Sequence, residues 1–71
     1  MYTQLLKHTN NTDVAIEILR QFYVPEKQVY KLKVCWWNIG NSHKPFSMGI
    51  VEKIVINKQD MPNWQVYRRS A

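Results

Sequence analysis

Two lysines and a tryptophan at alternate positions are the strongest candidate for chemistry in this sequence. Lys31, Lys33 and Trp37 all belong to the odd-numbered positions of the segment 29–39. In an extended strand such residues share one face, and the two lysines are about 6.5–7 Å apart, twice the rise of about 3.4 Å per nucleotide. An exposed indole beside them would stack on a base and contribute about 1–3 kcal/mol. The spacing therefore predicts a face that binds phosphates and bases.

The same residues also have a purely structural interpretation. Lysine stems often lie over apolar surface, and Trp36 or Trp37 would close the open end of a small barrel. Which of the two indoles is exposed depends on the register of the strand. Both interpretations stay open at the level of the sequence.

A polar loop over residues 40–47 is the second candidate. Asn41, Ser42 and Lys44 supply hydrogen-bond donors there, His43 adds an imidazole, and long loops in compact domains are enriched in function. The alternative is a solvated hairpin loop in which Phe46 folds back onto the core. The predicted nucleic-acid contacts are Lys31, Lys33, Trp37, Lys44 and Lys53, with loop contacts from Asn41 and His43.

Positive charge is concentrated in the middle of the chain. Ten Lys and Arg stand against five Asp and Glu, which gives a net charge of +5 and a pI of about 9.6. Residues 27–58 hold six lysines and one glutamate and so account for +5 by themselves. Clustered lysines in a basic domain are typical of nucleic-acid binding, although a charge of this size also serves solubility alone.

Catalysis, metal binding and disulfide formation find little support in the sequence. Cys35 is the only cysteine, which excludes an intramolecular disulfide and a zinc site built on CxxC pairs. His8 and His43 are far apart in sequence and have no paired ligand nearby. No nucleophile and base are placed to meet in an extended chain. We therefore expect a non-enzymatic protein without a metal or cofactor.

The 71 residues leave room for a single domain, 1–71. No apolar run approaches the roughly 18 residues that a membrane-spanning helix needs, and the first apolar stretch is too short for a secretory signal. The free thiol is compatible with a reducing compartment. We therefore expect a cytoplasmic protein without a membrane partner.

The lysines require a strand over 29–39 to place them on one face. Four apolar residues alternate there with the odd-numbered positions, which predicts a strand with one apolar and one cationic face. These four residues are Tyr30, Leu32, Val34 and Trp36.

The segment 14–24 decides the fold class. As a strand its even-numbered apolar residues point one way, with Arg20 as the exception. As a helix over 13–23 its polar residues gather in a narrow arc behind an N-cap at 11–13. Two runs of similar length on either side of the turn at 25–27 favour a long hairpin. With a loop of three or five residues, Phe22 and Ile18 would share the apolar face of Leu32 and Val34.

Further strands are predicted at 49–57, 64–67 and 3–7. The polar pair Glu52-Lys53 within the run 49–57 indicates either a β-bulge or an edge exposed on both faces. The fold class is therefore all-β, a small five-stranded antiparallel barrel or strongly curled sheet that is SH3-like or Tudor-like in size and strand count. This is a fold-level analogy, because the chain has no motif of either family. The alternative is an α+β fold with a helix over 13–23 packed on a three-stranded antiparallel sheet.

Taken together, the residues predict a small basic β-module that binds nucleic acid through lysines and an exposed tryptophan. The alternative is a protein-interaction or self-assembly module, a homo-oligomer formed through the exposed edge of the run 49–57. An accessory protein of a phage or mobile element is one example of such a module. The residues do not distinguish DNA, RNA and protein as partners.

Overall fold

The computed structural model describes residues 4–40 and 44–67. They form one antiparallel sheet in the order β4-β3-β2-β1-β5, and β4 and β5 each pair with one neighbour, so the sheet is not closed. The prediction of five antiparallel strands is confirmed. The elements are β1 (Leu5–His8), β2 (Val14–Val24), β3 (Val29–Asn38), β4 (Phe46–Asn57), a single 3-10 turn (Met61–Asn63) and β5 (Trp64–Val66).

The alternative of a helix over 13–23 is wrong, because this segment is the strand β2. Its β-branched and aromatic side chains suit a pleated surface, and every described residue of β2 except Leu19 pairs with β3. The pairing gives β2 long-range hydrogen bonds that an isolated helix of the same length would lack. No α-helix occurs in the described ranges, and in particular none is long and apolar enough to cross a membrane.

The β2–β3 hairpin closes with Val24 opposite Val29, so its loop has four residues, 25–28. Gln28 adopts a left-handed conformation with φ of 52° and completes the turn. An even-numbered loop pairs even positions with odd ones. Phe22 therefore lies opposite Lys31, and the prediction that Phe22 shares the apolar face of Leu32 is wrong.

A β-bulge in the middle of β2 changes the face of its side chains. Ile18 lies opposite Val34 and Arg20 lies opposite Lys33, so Leu19 is an extra residue without a direct partner. One inserted residue moves all following side chains to the other face. The bulge therefore leaves Ile18 on the apolar face, as predicted, and turns Arg20 away from it.

The two faces of the sheet carry two separate cores. The inner face is the side of Leu32 and Val34, and its main core of buried residues is enclosed by flanking aromatic and aliphatic side chains. The opposite, outer face carries a smaller core of Leu5, Ala15 and Ile39, against which Trp37 and Tyr67 pack. The main core consists of Ile16, Leu32, Val34 and Ile56.

Strand β4 is an edge strand, and nearly all its residues are exposed. The pairing at Glu52 and Lys53 is regular, so of the two predicted possibilities the exposed edge is confirmed. The irregularity lies instead between Ser47 and Val51, where Gly49 has a φ of 73°. Glycine adopts this conformation without a steric penalty. Phe46 belongs to β4 and is 51% exposed, so its predicted contact with the core is wrong.

Candidate nucleic-acid interface

Three cations lie side by side across the outer face of the sheet. Arg20 on β2 pairs with Lys33 on β3, and Lys33 pairs with Lys53 on β4. Because neighbouring strands are about 4.8 Å apart, the three side chains start from a row about 10 Å long. We call these three residues the cationic row. Its members come from three strands that follow one another in the chain, and the three residues themselves are far apart in sequence.

The cationic row is unfavourable for folding by itself. Like charges directly opposite each other in a sheet are destabilising. The side chains of Arg20, Lys33 and Lys53 form neither a hydrogen bond nor an ion pair with any residue in the ranges 4–40 and 44–67. The nearest carboxylate along β2 on this face is Glu17, beyond the bulge. The row therefore leaves three positive charges facing solvent.

The next row of the same face adds an aromatic ring, a fourth cation and an aliphatic side chain. Phe22, Lys31 and Val55 lie opposite one another, and Phe22 and Val55 are 58% and 60% exposed. Together with the cationic row they surround an open depression of about 600 Å³. We call these six residues the cationic patch: Arg20, Phe22, Lys31, Lys33, Lys53 and Val55.

The exposed aromatic ring of the patch is Phe22 and not Trp37. Trp37 lies on the outer face with Lys31 and Lys33, but it is half-buried against the smaller core. Its indole N–H donates a hydrogen bond to Glu17 Oε1 at 3.0 Å. The ring is therefore fixed by packing and by a carboxylate, and the exposed aromatic ring on this face is that of Phe22.

The predicted loop contacts are only partly described. Asn41 and His43 lie outside the described residues. Lys44 is exposed just before β4, at the end of that strand opposite to Lys53. The structure thus brings Lys31, Lys33 and Lys53 together and places Lys44 apart from them.

Three members of the patch, Arg20, Phe22 and Val55, are not among the predicted site residues. Arg20 and Phe22 turn to the outer face because of the bulge at Leu19 and the four-residue loop. The available signal was Arg20 itself, the one charged residue in an otherwise apolar even-numbered series. A break of this kind in a strand pattern is typical of a β-bulge.

A second polar cluster surrounds the carboxylate of Asp60, at the other end of the sheet. It accepts hydrogen bonds from Asn63 Nδ2 at 2.9 Å, from His8 Nε2 at 3.2 Å and from Trp64 Nε1 at 3.3 Å. The hydrogen bond from Asn63, followed by the one from His8, lowers the pKa of Asp60 below its usual 3.8. The ring of His8 stands edge-on to Trp64, with 5.1 Å between the ring centroids. We call these four residues the Asp60 cluster.

Cys35 is a buried thiol on the outer face. Its Sγ lies 3.2 Å from Ser47 Oγ, within hydrogen-bonding distance, and no disulfide partner exists in the chain. Within the described ranges, no group of three or more His, Cys, Asp or Glu side chains comes together that could hold a metal ion.

Comparison of the chain with protein-family models, with curated proteins and with solved structures gives no match.

Proposed function

We propose that the protein binds nucleic acid without catalysing a reaction on it. The cationic patch contacts the phosphates and Phe22 offers a face on which a base stacks. The observation that carries this proposal is the cationic row, which opposes folding and has no compensating acid among the described residues. An anionic ligand would supply the missing compensation.

The shape of the patch favours a polymer over a single phosphate. Four cations are spread over two rows and three strands, which matches several phosphates in succession better than one. An exposed ring among the cations suits unpaired bases, since every base offers a flat face for stacking. We therefore propose single-stranded DNA or RNA as the preferred ligand.

The curvature of the sheet is part of the same proposal. Met61, just before the edge strand β5, and Trp64, its first residue, pack against the main core, which includes Ile56 of the other edge strand. This packing supports a strongly curled sheet, SH3-like in size, with the main core on its concave side. The cationic patch then lies on the convex side, where an extended strand of nucleic acid has access.

A salt series measures the number of phosphate contacts. Fluorescence anisotropy with labelled single-stranded and duplex oligonucleotides should show affinity that falls steeply as salt rises. The double variant Lys33→Ala, Lys53→Ala should bind more weakly. Its log–log slope against salt should be smaller by about 0.7 for each phosphate contact that is lost.

The control for this experiment is Lys58→Ala. The ammonium of Lys58 lies 6.0 Å from the centre of the Tyr23 ring, away from the patch. This variant removes one positive charge, against two in the double variant, and should keep the slope of the wild-type protein. Equal losses in the double variant and in Lys58→Ala, or an affinity independent of salt, would contradict the proposal.

The exposed edge of β4 supports a second candidate function, self-assembly. Five apolar side chains on this strand are 41–60% exposed, and an unpaired edge offers backbone groups to a second copy. Lys53 within the strand and the irregular pairing around Gly49 oppose such an extension of the sheet. The five apolar residues are Phe46, Met48, Ile50, Val51 and Val55.

Native mass across a range of protein concentrations tests this second function. A dimer that resists high salt and dissociates in the variant Ile50→Lys would support assembly through β4. A monomer at high micromolar concentration would exclude it and leave nucleic-acid binding as the proposed activity.

A further inference from the structure

A cavity on the inner face has walls of aromatic rings. It lies between the β1–β2 turn, β3 and β5 and has a volume of about 290 Å³. This volume is at the lower limit for ligand sites and fits a group the size of one side chain. Its lining residues are His8, Asn10, Asn11, Val14, Trp36 and Trp64.

The carboxylate of Asp60 fixes two of these rings by hydrogen bonds. The carboxylate accepts hydrogen bonds from the indole of Trp64 and from His8 Nε2, and it does not itself line the cavity. The backbone N–H of Asn10 donates to His8 Nδ1 at 3.1 Å. Nδ1 therefore carries a lone pair and Nε2 carries the proton, so His8 forms a neutral wall.

The electrostatics of this cavity are opposite to those of the cationic patch. With His8 neutral, none of its lining residues carries a formal charge, and the carboxylate of Asp60 accepts hydrogen bonds from two of the rings. A carboxylate that accepts an indole N–H polarises the ring and makes its face more negative. The nearest cation on β1 is Lys7, whose Nζ lies 3.4 Å from the backbone oxygen of His8 and does not line the cavity.

The indole of Trp36 carries a buried polar group that lowers the stability of the fold. Its Nε1 is buried and has no hydrogen-bond partner among the described residues. A buried donor without an acceptor costs stability, and a phenylalanine would fill much of the same space without this cost. Trp36 also packs against the main core, and its indole adds an electron-rich face, which is the best of the aromatic side chains for binding a cation.

We propose that this cavity binds a methylated ammonium group. Two indoles and a neutral imidazole line it, and the carboxylate of Asp60 accepts hydrogen bonds from the imidazole and from the indole of Trp64. The bulky methyl groups fill the space between the rings, and the delocalised charge attracts the ring faces. The group is carried either by a free small molecule such as choline or by a trimethylated lysine side chain. The site is separate from the cationic patch and does not depend on the proposed nucleic-acid binding.

Titration with choline chloride at constant ionic strength tests the proposal on the intact chain. The indole N–H resonances of Trp36, Trp37 and Trp64 report the two faces of the sheet separately. We expect saturable shifts for Trp36 and Trp64 and none for Trp37. The neutral carbon isostere of choline, dimethylbutanol, should bind at least about fivefold more weakly, because it lacks the charge. A parallel titration with acetylated trimethyllysine amide identifies the preferred carrier of the group.

Two adjacent tryptophans provide matched variants. Trp36→Phe should weaken choline binding about tenfold without lowering the melting temperature, whereas Trp37→Phe should leave choline binding unchanged. Asp60→Asn keeps the size of its side chain and should weaken binding in the same direction as Trp36→Phe. Equal affinity for choline and dimethylbutanol, unchanged binding by Trp36→Phe, or no saturable shift would overturn the proposal.

Discussion

The cationic row and the Asp60 cluster use charge in opposite ways. The carboxylate of Asp60 accepts hydrogen bonds from Asn63, His8 and Trp64 and joins β5 to the end of β1. The three cations of the row face one another across β2, β3 and β4 without an acid. The carboxylate is hydrogen-bonded within the fold, and the three cations face solvent.

The difference distinguishes groups that stabilise the fold from groups that are available to a ligand. Replacing a residue that stabilises the fold lowers the stability of the protein. Replacing a residue that opposes folding raises the stability of the protein, and such a residue is often retained because it serves function. Stability and binding measured on the same variants separate these two classes.

The largest effect is expected for Lys33→Glu. The new carboxylate lies between Arg20 and Lys53 and forms favourable cross-strand pairs with both. Stability should rise by up to about 1 kcal/mol, while affinity for single-stranded DNA should fall on the order of a hundredfold. Thermal unfolding and anisotropy on the same sample measure the two effects.

Lys58→Glu is the matched control for this reversal of charge. It changes the net charge by the same amount away from the patch, and it should reduce affinity much less. If Lys33→Glu destabilised the protein, or if it bound as tightly as Lys58→Glu, the row would not be the binding surface.

A smaller effect is expected for Phe22→Ala. The ring is 58% exposed, so its removal should change stability little, and the loss of one stacked base should weaken binding about tenfold. Phe46→Ala removes a ring of similar exposure from the opposite end of the sheet. Its affinity should equal that of the wild-type protein, and a loss as large as that of Phe22→Ala would exclude base stacking on Phe22.

The smallest effect concerns the Asp60 cluster and depends on pH. The folded-state pKa of Asp60 is lowered by its hydrogen bonds with Asn63 and His8. Its contribution to stability is therefore complete above the unfolded-state pKa of about 3.9 and is lost as the pH falls through the lower folded-state value. Asp60→Asn should make the free energy of unfolding less dependent on pH below about 4, as measured by urea unfolding at several pH values. A variant with the pH profile of the wild-type protein would show that Asp60 contributes nothing.

Much of the fold was predictable because alternation is a local property. The segment 29–39 carries its apolar and polar residues at alternate positions, and β3 is observed at Val29–Asn38. β2 is observed over the predicted range, Val14–Val24. The symmetry of the two runs about the turn was sufficient to favour the hairpin over a helix.

The composition of the candidate site was less predictable because it depends on register. Lys31, Lys33 and Lys53 follow from strand alternation alone. The addition of Arg20 and Phe22 requires a four-residue loop and a bulge at Leu19, which together shift the pairing by single residues. The contact between Trp37 and Glu17 joins residues 20 positions apart and depends on the same register. A one-residue error in pairing therefore exchanges the exposed and the buried aromatic ring.

The most direct test of the central claim is a map of backbone amide shifts during titration with a single-stranded oligonucleotide. The account predicts that the largest shifts fall on residues 20–22, 31–33 and 53–55, and that they decrease as salt is added. Residues 60, 63 and 64 of the Asp60 cluster should change little. Shifts centred on the edge strand at residues 46–50, or an absence of shifts at the cationic row, would contradict the claim that this row binds nucleic acid.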